Sequence, residues 1–597
     1  MRFPRLVPLV LAAFASASFA SAAEPALTRL VPADTAIVVA LRDLPALRAR
    51  FPESASGRAW ADPEIARFFA PLSGHPEIAE MIEKVKAETG HTPAELFALA
   101  TGDVLLTVPA GSLRFSGDNP GADVFLALEI GENEAKITEL VAAARAKDAS
   151  AGTASTEDYN GATIHTFTPA SPAATPPGAD AVSAPAEPLV WSLHQGRWFL
   201  STDRALVTAA LDALAAGGLP ESLATSSDYQ KVLDRAGGGA DVLAFLNWKA
   251  VYPALISAIE AARDPKEAPN PFGMEPVNIM KALGLDAIES FSVSAGTVGD
   301  LDRVDAALTY TEARGVVNLL AYRDGPVARP DWVPAAWFNV SSQNFSVPEA
   351  YAELERILDR VSPMVAGMAQ GQLKTFERQL GLDLKRDLIG NLGESFISGY
   401  ALPAGADADN PPAHDQLDQF IGISLADAAS FERSLETIKA KYLPPGDASP
   451  IKTRDYLGRK LHTFETAPGA RGASYAITDG WLLLGIGSPA SVESVVQLLN
   501  APNPTASFWQ RADVREALLS APTGAFSIQH TELAPLLASL ASTLVKVQED
   551  QDDEEGRLVD PEAKPTREQL ARYFKHSVSH GTRTSEGLFF HSEGPTR

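Results

Sequence analysis

The sequence predicts an α+β fold of two tandem homologous units, each a broad, mostly antiparallel sheet with helices packed on one face. Three observations predict it. The chain repeats a series of segments in the same order, its apolar positions follow the periods of strands and helices in turn, and two-residue turns join successive strands.

The repeat is clearest where Asp158-Tyr159-Asn160-Gly161-Ala162-Thr163-Ile164-His165-Thr166-Phe167 returns as Asp455-Tyr456-Leu457-Gly458-Arg459-Lys460-Leu461-His462-Thr463-Phe464, with six of ten positions identical. Upstream, residues 90–103 (GHTPAELFALATGD) match residues 381–394 (GLDLKRDLIGNLGE) with the same spacing between glycines, and Asp123 to Ile130 matches Gln419 to Leu425. Downstream, Gly196-Arg197-Trp198-Phe199-Leu200 and its helix match Gly480-Trp481-Leu482-Leu483-Leu484 and the helix from Pro489. Val242 to Asn247 then resembles Ala525 to Gln529. Last, Ser290 to Ala295 and Asp305 to Tyr310 resemble Ser577 to His580 and Gly587 to Ser592. Blocks that agree in sequence and in order make duplication the economical account.

The repeat sets the units at residues 23–328 and 329–597, after a leader at residues 1–22. Unequal gaps between matched blocks mark the loops. Residues 169–187 are rich in Pro and Ala, cannot bury a core, and read as a flexible insertion in the first unit. Residues 404–416 and 546–566 are loops of the second, the latter with an acidic run from Glu549 to Glu555.

Period and residue type place the elements. Ile37 to Leu41, Val104 to Val108, Val124 to Ile130, Ala162 to Phe167, Leu189 to Leu193 and Trp198 to Ser201 are β-branched and aromatic, and predict strands. Glu132 to Ala146 and Arg204 to Leu214 predict helices between them. Gln195-Gly196 and Asp479-Gly480 are hairpin turns, so the strands they join run antiparallel. Apolar positions from Tyr351 to Leu380 predict a long helix kinked near Pro363 and Gly367.

Composition narrows the compartment and the chemistry. The 597 residues include 75 acidic against 50 basic side chains, a net charge of −25, which repels phosphate backbones and argues against nucleic-acid partners. Arg2 and Arg5, the apolar Leu6 to Phe19 and the small Ala20-Ser21-Ala22 fit a cleaved signal peptide, so the mature protein is expected in the periplasm or secreted. No later segment is apolar for long enough to span a bilayer. The chain has no cysteine, which excludes lipoprotein acylation, disulfides, thiolate zinc sites and a cysteine nucleophile.

Several motifs bear on chemistry. His165 with Asp158, and His462 with Asp455, are the candidates for acid–base work, because a histidine near a carboxylate titrates around neutrality. Strand alternation sets each His on the face of its neighbouring Phe and a turn apart from the Asp, as in a strand histidine of structural role. Gly485-Ile486-Gly487-Ser488-Pro489-Ala490 mimics a dinucleotide fingerprint, yet Ser488 before Pro489 is an ordinary helix start. His576 and His580 suit metal ligation only on a helix, and Ser577-Val578-Ser579 between them reads as strand. Asp550 to Gly556 resembles a calcium loop without its closing glutamate. No cofactor or metal is implied.

Val31-Pro32-Ala33-Asp34-Thr35-Ala36-Ile37-Val38-Val39, Leu41-Arg42-Asp43-Leu44 and Gly57-Arg58-Ala59-Trp60-Ala61-Asp62-Pro63-Glu64 give the opening of the chain a recognisable pattern. It resembles an uncharacterised family of exported bacterial proteins, domain-of-unknown-function family 3352, whose members open with a similar strand, short helix and turn. The second unit departs from the pattern at Pro334-Ala335-Ala336-Trp337. The resemblance implies export and fold and carries no active site.

Function is therefore expected to be non-catalytic: an exported protein that binds a ligand or partner, such as an envelope protein, or acts structurally. The alternatives are a carrier of a lipid or other hydrophobic molecule, and a hydrolase with dispersed His and Asp residues.

Overall fold

The computed structural model describes residues 26–115, 121–147, 152–169, 188–235, 240–263, 270, 272, 274–444, 449–464, 471–501, 507–550 and 557–596. The leader at residues 1–22, all but the first residue of the 169–187 insertion, and all but the first residue of the calcium-like Asp550 to Gly556 segment lie outside them.

The fold is α+β, with a large antiparallel sheet. Chain order gives β1 (Thr35–Leu41), β2 (Val104–Pro109), β3 (Phe125–Glu129), β4 (Gly152–Tyr159), β5 (Ala162–Pro169), β6 (Leu189–His194) and β7 (Arg197–Ser201). β8 (Val242–Asn247), β9 (Ile288–Val298) and β10 (Leu301–Tyr310) complete the first half. The second half supplies β11 (Asn339–Asn344), β12 (Leu392–Ala401), β13 (Asp418–Leu425), β14 (Ile451–Tyr456), β15 (Arg459–Phe464), β16 (Ala473–Thr478) and β17 (Trp481–Ile486). It ends with β18 (Ser527–Glu532), β19 (His576–Thr584) and β20 (Gly587–Pro595).

Across the sheet the first half reads β4-β5-β6-β7-β3-β2-β1-β8-β9-β10. From the far edge the second half reads β14-β15-β16-β17-β13-β12-β11-β18-β19-β20. β10 and β20 join them antiparallel, in register from Leu301 opposite Pro595 to Thr309 opposite Gly587. The two hairpins beside this seam close alike, Val298 on Leu301 and Thr584 on Gly587. Leu301 thus holds the place of Gly587, and Asp305 that of His591. The sequence blocks that set Asp305 against Gly587 and Ser290 against Ser577 are out of step with this register by four residues and by one.

Turn chemistry behaves as expected. Asn160-Gly161, Gln195-Gly196, Leu457-Gly458 and Asp479-Gly480 all take positive φ at both positions, which matches the twist of the strands they join. The long helix is two: Val347–Val361 and Pro363–Leu380, broken at Ser362, whose side chain caps the second by accepting from the Val365 amide.

Helices cover both faces rather than one. Val207 and Leu211 of helix Arg204–Ala215 pack on Phe199 and Leu105, and Val492 and Val495 of helix Ala490–Leu499 pack on Leu483. On the second face, Leu44 and Leu47 of helix Leu44–Arg50 meet Val104 and Leu126, and Phe431 of helix Ala428–Tyr442 meets Leu482 and Leu484. The reason is local: Val104-Leu105-Leu106 and Leu482-Leu483-Leu484 are continuous apolar runs, so both sides of those strands need a cover. Among the described residues no helix is long and apolar enough to cross a membrane.

One row of cross-strand partners on the first face positions the site. It runs Phe199, Ala127, Leu105, Ala40, Leu243, Ser294, Asp305, His591, His580, Ile528, Ser342, Ile397, Gly422, Leu483 and Ala476. Its wings are nearly all apolar. Its centre, at the seam, turns polar for four consecutive strands.

Candidate functional site

The polar centre begins with β9, which is built inside out. Ser290, Ser292 and Ser294 are buried on the first face, while Phe291 and Val293 are exposed on the second. β10 adds Arg303 and Asp305 to the first face, β20 adds Phe589, His591 and Glu593, and β19 adds His580. These side chains line a cavity of about 260 Å³ over the seam, closed on one side by Val232 of helix Ser227–Arg235.

Its charges are paired across the seam. His591 Nδ1 lies 2.8 Å from Asp305 Oδ1, and His591 Nε2 lies 3.3 Å from Glu593 Oε2. Arg303 grips the same aspartate, donating from Nε to Oδ2 at 2.7 Å and from a terminal nitrogen to Oδ1 at 3.2 Å. Burial works against a charge on His591, but Asp305 and then Glu593 outweigh it, and the imidazole is held above its ordinary value. Burial likewise opposes the Asp305 charge, and hydrogen bonds from His591 and Arg303 hold that carboxyl below its ordinary range. His580, its ring 4.9 Å from that of His591, is pushed down to about 4 by burial and next by its charged neighbour. Of the two tilted rings, His591 is therefore the one whose charged form its neighbours favour. His580 Nδ1 is buried with no hydrogen-bond partner among the described residues.

This arrangement orients polar groups rather than activating one. Both nitrogens of His591 engage carboxylates, leaving no lone pair to take a proton from a nucleophile. Among the described residues no group of three or more acidic or imidazole side chains could hold a metal ion.

The sequence candidates lie elsewhere. His165, on β5, stacks on Trp191 with ring centroids 5.2 Å apart, while Asp158 accepts from the Thr163 hydroxyl at 3.4 Å. His462, on β15, shares a 2.8 Å hydrogen bond with Thr453, stacks on Tyr475 at 4.4 Å, and is pushed down to about 4 by burial and next by Lys439. Asp455 accepts from the Gly458 amide at 3.0 Å and shapes the turn. No hydrogen bond joins either histidine to its aspartate, and His165 and His462 sit in opposite wings of the sheet. His576 and His580 do share a strand face, each beside a different imidazole, His576 stacked on His530 and His580 tilted against His591. At the dinucleotide-like segment, Asp418 accepts from the Ser488 amide and hydroxyl, both at 2.8 Å, and so fills the place a phosphate would take.

Asp305, His591, Glu593 and Arg303 carry no local motif. The signal that reaches them is the Ser-Phe-Ser-Val-Ser alternation of β9, once the serines are read as the inward set. No protein-family model, no curated protein and no solved structure matches the chain.

Proposed function

We propose that this is a non-catalytic binding protein, exported through its leader, in which two copies of one α+β unit meet and form a ligand site at their junction. The units correspond to residues 23–328 and 329–597. The identical strand order on either side of the seam supports duplication, as does the pairing of Tyr159 with Asp212 and of Tyr456 with Gln497, each tying an equivalent hairpin to the helix over it. One observation carries the binding reading: the row across the sheet is apolar in both wings but for the buried hydroxyls of Ser192 and Ser342, and turns polar on consecutive strands only where it lines the cavity. Buried polar groups are costly unless satisfied, and four strands of them at the seam cavity fit a site kept for a ligand.

Native mass spectrometry of the full chain, purified from its own host, tests this against Ala307→Phe, which fills the cavity. A small polar adduct on the parent protein, lost in the variant, is the expected result. A protein that never carries one removes the reading. Phe291, Val293, Val304 and Phe590, exposed side by side on the second face, favour a second reading, contact with a hydrophobic molecule or envelope partner. An adduct of acyl-chain composition that survives Ala307→Phe would decide for it.

A further inference from the structure

We propose that the seam cavity takes a neutral, polyhydroxylated ligand of monosaccharide size; this rests on the cavity being a binding site at all. Size comes first. A volume of about 260 Å³ holds roughly a dozen non-hydrogen atoms, just below the usual range of small-molecule sites, and is too small for a lipid tail with its headgroup.

Charge decides the class. Arg303 and His591 face Asp305 and Glu593, two cations against two anions, already joined by contacts of 2.7 to 3.3 Å. An anion would have to draw a cation away from Asp305, and an amine would have to compete with His591 for a carboxylate. Either leaves a buried charge unpaired, the costliest outcome in a partly desolvated site. A neutral ligand disturbs no pair.

Hydrogen-bond capacity then asks for hydroxyls. Ser292, Ser294 and Thr582 line the cavity, each a donor and an acceptor. The neutral His580 adds an uncharged imidazole to the same lining. Charged carboxylate and guanidinium edges bind hydroxyls more strongly than neutral partners do. The Phe589 ring in the lining offers an apolar wall to the C–H face of a sugar.

Saturation-transfer NMR and calorimetry on the full chain test it with glucose, galactose and mannose, alongside the uronic acid and the amino sugar of each. At least one neutral hexose should bind, with its acid and amine binding about ten-fold more weakly. Ala307→Phe should abolish binding. Ser294→Ala, which removes a hydroxyl and little volume, should weaken it about ten-fold with an unchanged melting curve. A charged sugar that binds as well as its neutral parent, and is lost in Ala307→Phe, overturns the ligand class and leaves the cavity as a site. If no neutral hexose binds, the class also falls, and the adduct measurement above then decides whether the site falls with it.

Discussion

β9 and β19 hold the same place on either side of the seam and are dressed in opposite ways. β9 turns Ser290, Ser292 and Ser294 into the covered face and shows Phe291 and Val293 to the other. β19 turns His576, Val578 and His580 inward and sends Ser577 and Ser579 to the second face. The register is kept while the chemistry is exchanged. Backbone pairing and wing cores are enough to hold the architecture, so the seam is free to carry groups that a core would reject.

The largest effects should come from the wings, where the halves are alike. Leu105 and Ile397 lie in the same row, fully buried, one in each wing. Truncation of either to Ala should cost about 3 kcal/mol in denaturant unfolding. Because the sites are far apart, the double variant should lose the sum. A half that unfolds without disturbing the other would break the two costs into separate transitions.

At the seam the halves part company. His591→Ala leaves Asp305 and Glu593 facing each other without the imidazolium between them, and should cost about 2–3 kcal/mol, below the figure for a fully buried pair. Exchanging the partners, Asp305→His with His591→Asp, keeps the pair but sets like charges together, the relocated imidazole by Arg303 and the relocated carboxylate by Glu593. Full rescue by the exchange would show that the asymmetry of the seam is without energetic consequence.

Acid should sharpen the contrast further. Unfolded, each imidazole titrates near 6.5, whereas His462, His530 and His580 in the folded chain are pushed down to about 4, chiefly by burial. Between those values the unfolded chain holds more protons, so stability falls as pH drops through that range. About 1 kcal/mol per imidazole should be lost by about pH 5, allowing for partial exposure. His591 runs the other way: its raised value contributes stability below about 6.5 that is lost as pH rises through the folded value. Hydrogen exchange, corrected for its intrinsic pH dependence, should find β18 and β19 losing protection on acidification before β8 and β9. An equal loss in both halves would contradict this.

Much of the fold was legible in the sequence, and the reasons are physical. The Asn-Gly and Asp-Gly turns need positive φ, and the strands beside them alternate cleanly. The cover on both faces does not follow from the pattern, because Leu482-Leu483-Leu484 has no polar face to mark as outward. The site stayed hidden for a related reason. Alternation in Ser290 to Ser294 gives a period but not a direction, and Asp305 meets His591 only because the last strands of the two halves pair. The His-Thr-Phe repeats, which look chemical, hold hairpins.

The smallest effect tests the equivalence of those hairpins most finely. Asn160 and Leu457 open the same turn at φ 52 and φ 55, but only Asn accepts that conformation readily. Leu457 is 55% exposed, so Leu457→Asn should gain about 0.5–1 kcal/mol, with little packing lost. The reverse change should cost more than this gains, since Asn160 also donates to Asp212 at 2.9 Å, a bond worth about 1 kcal/mol when one partner is charged and exposed. The difference between the two reciprocal changes in denaturation midpoint isolates that hydrogen bond. If Leu457→Asn is instead neutral, the left-handed backbone is not the strained element, and the two turns are alike only in outline.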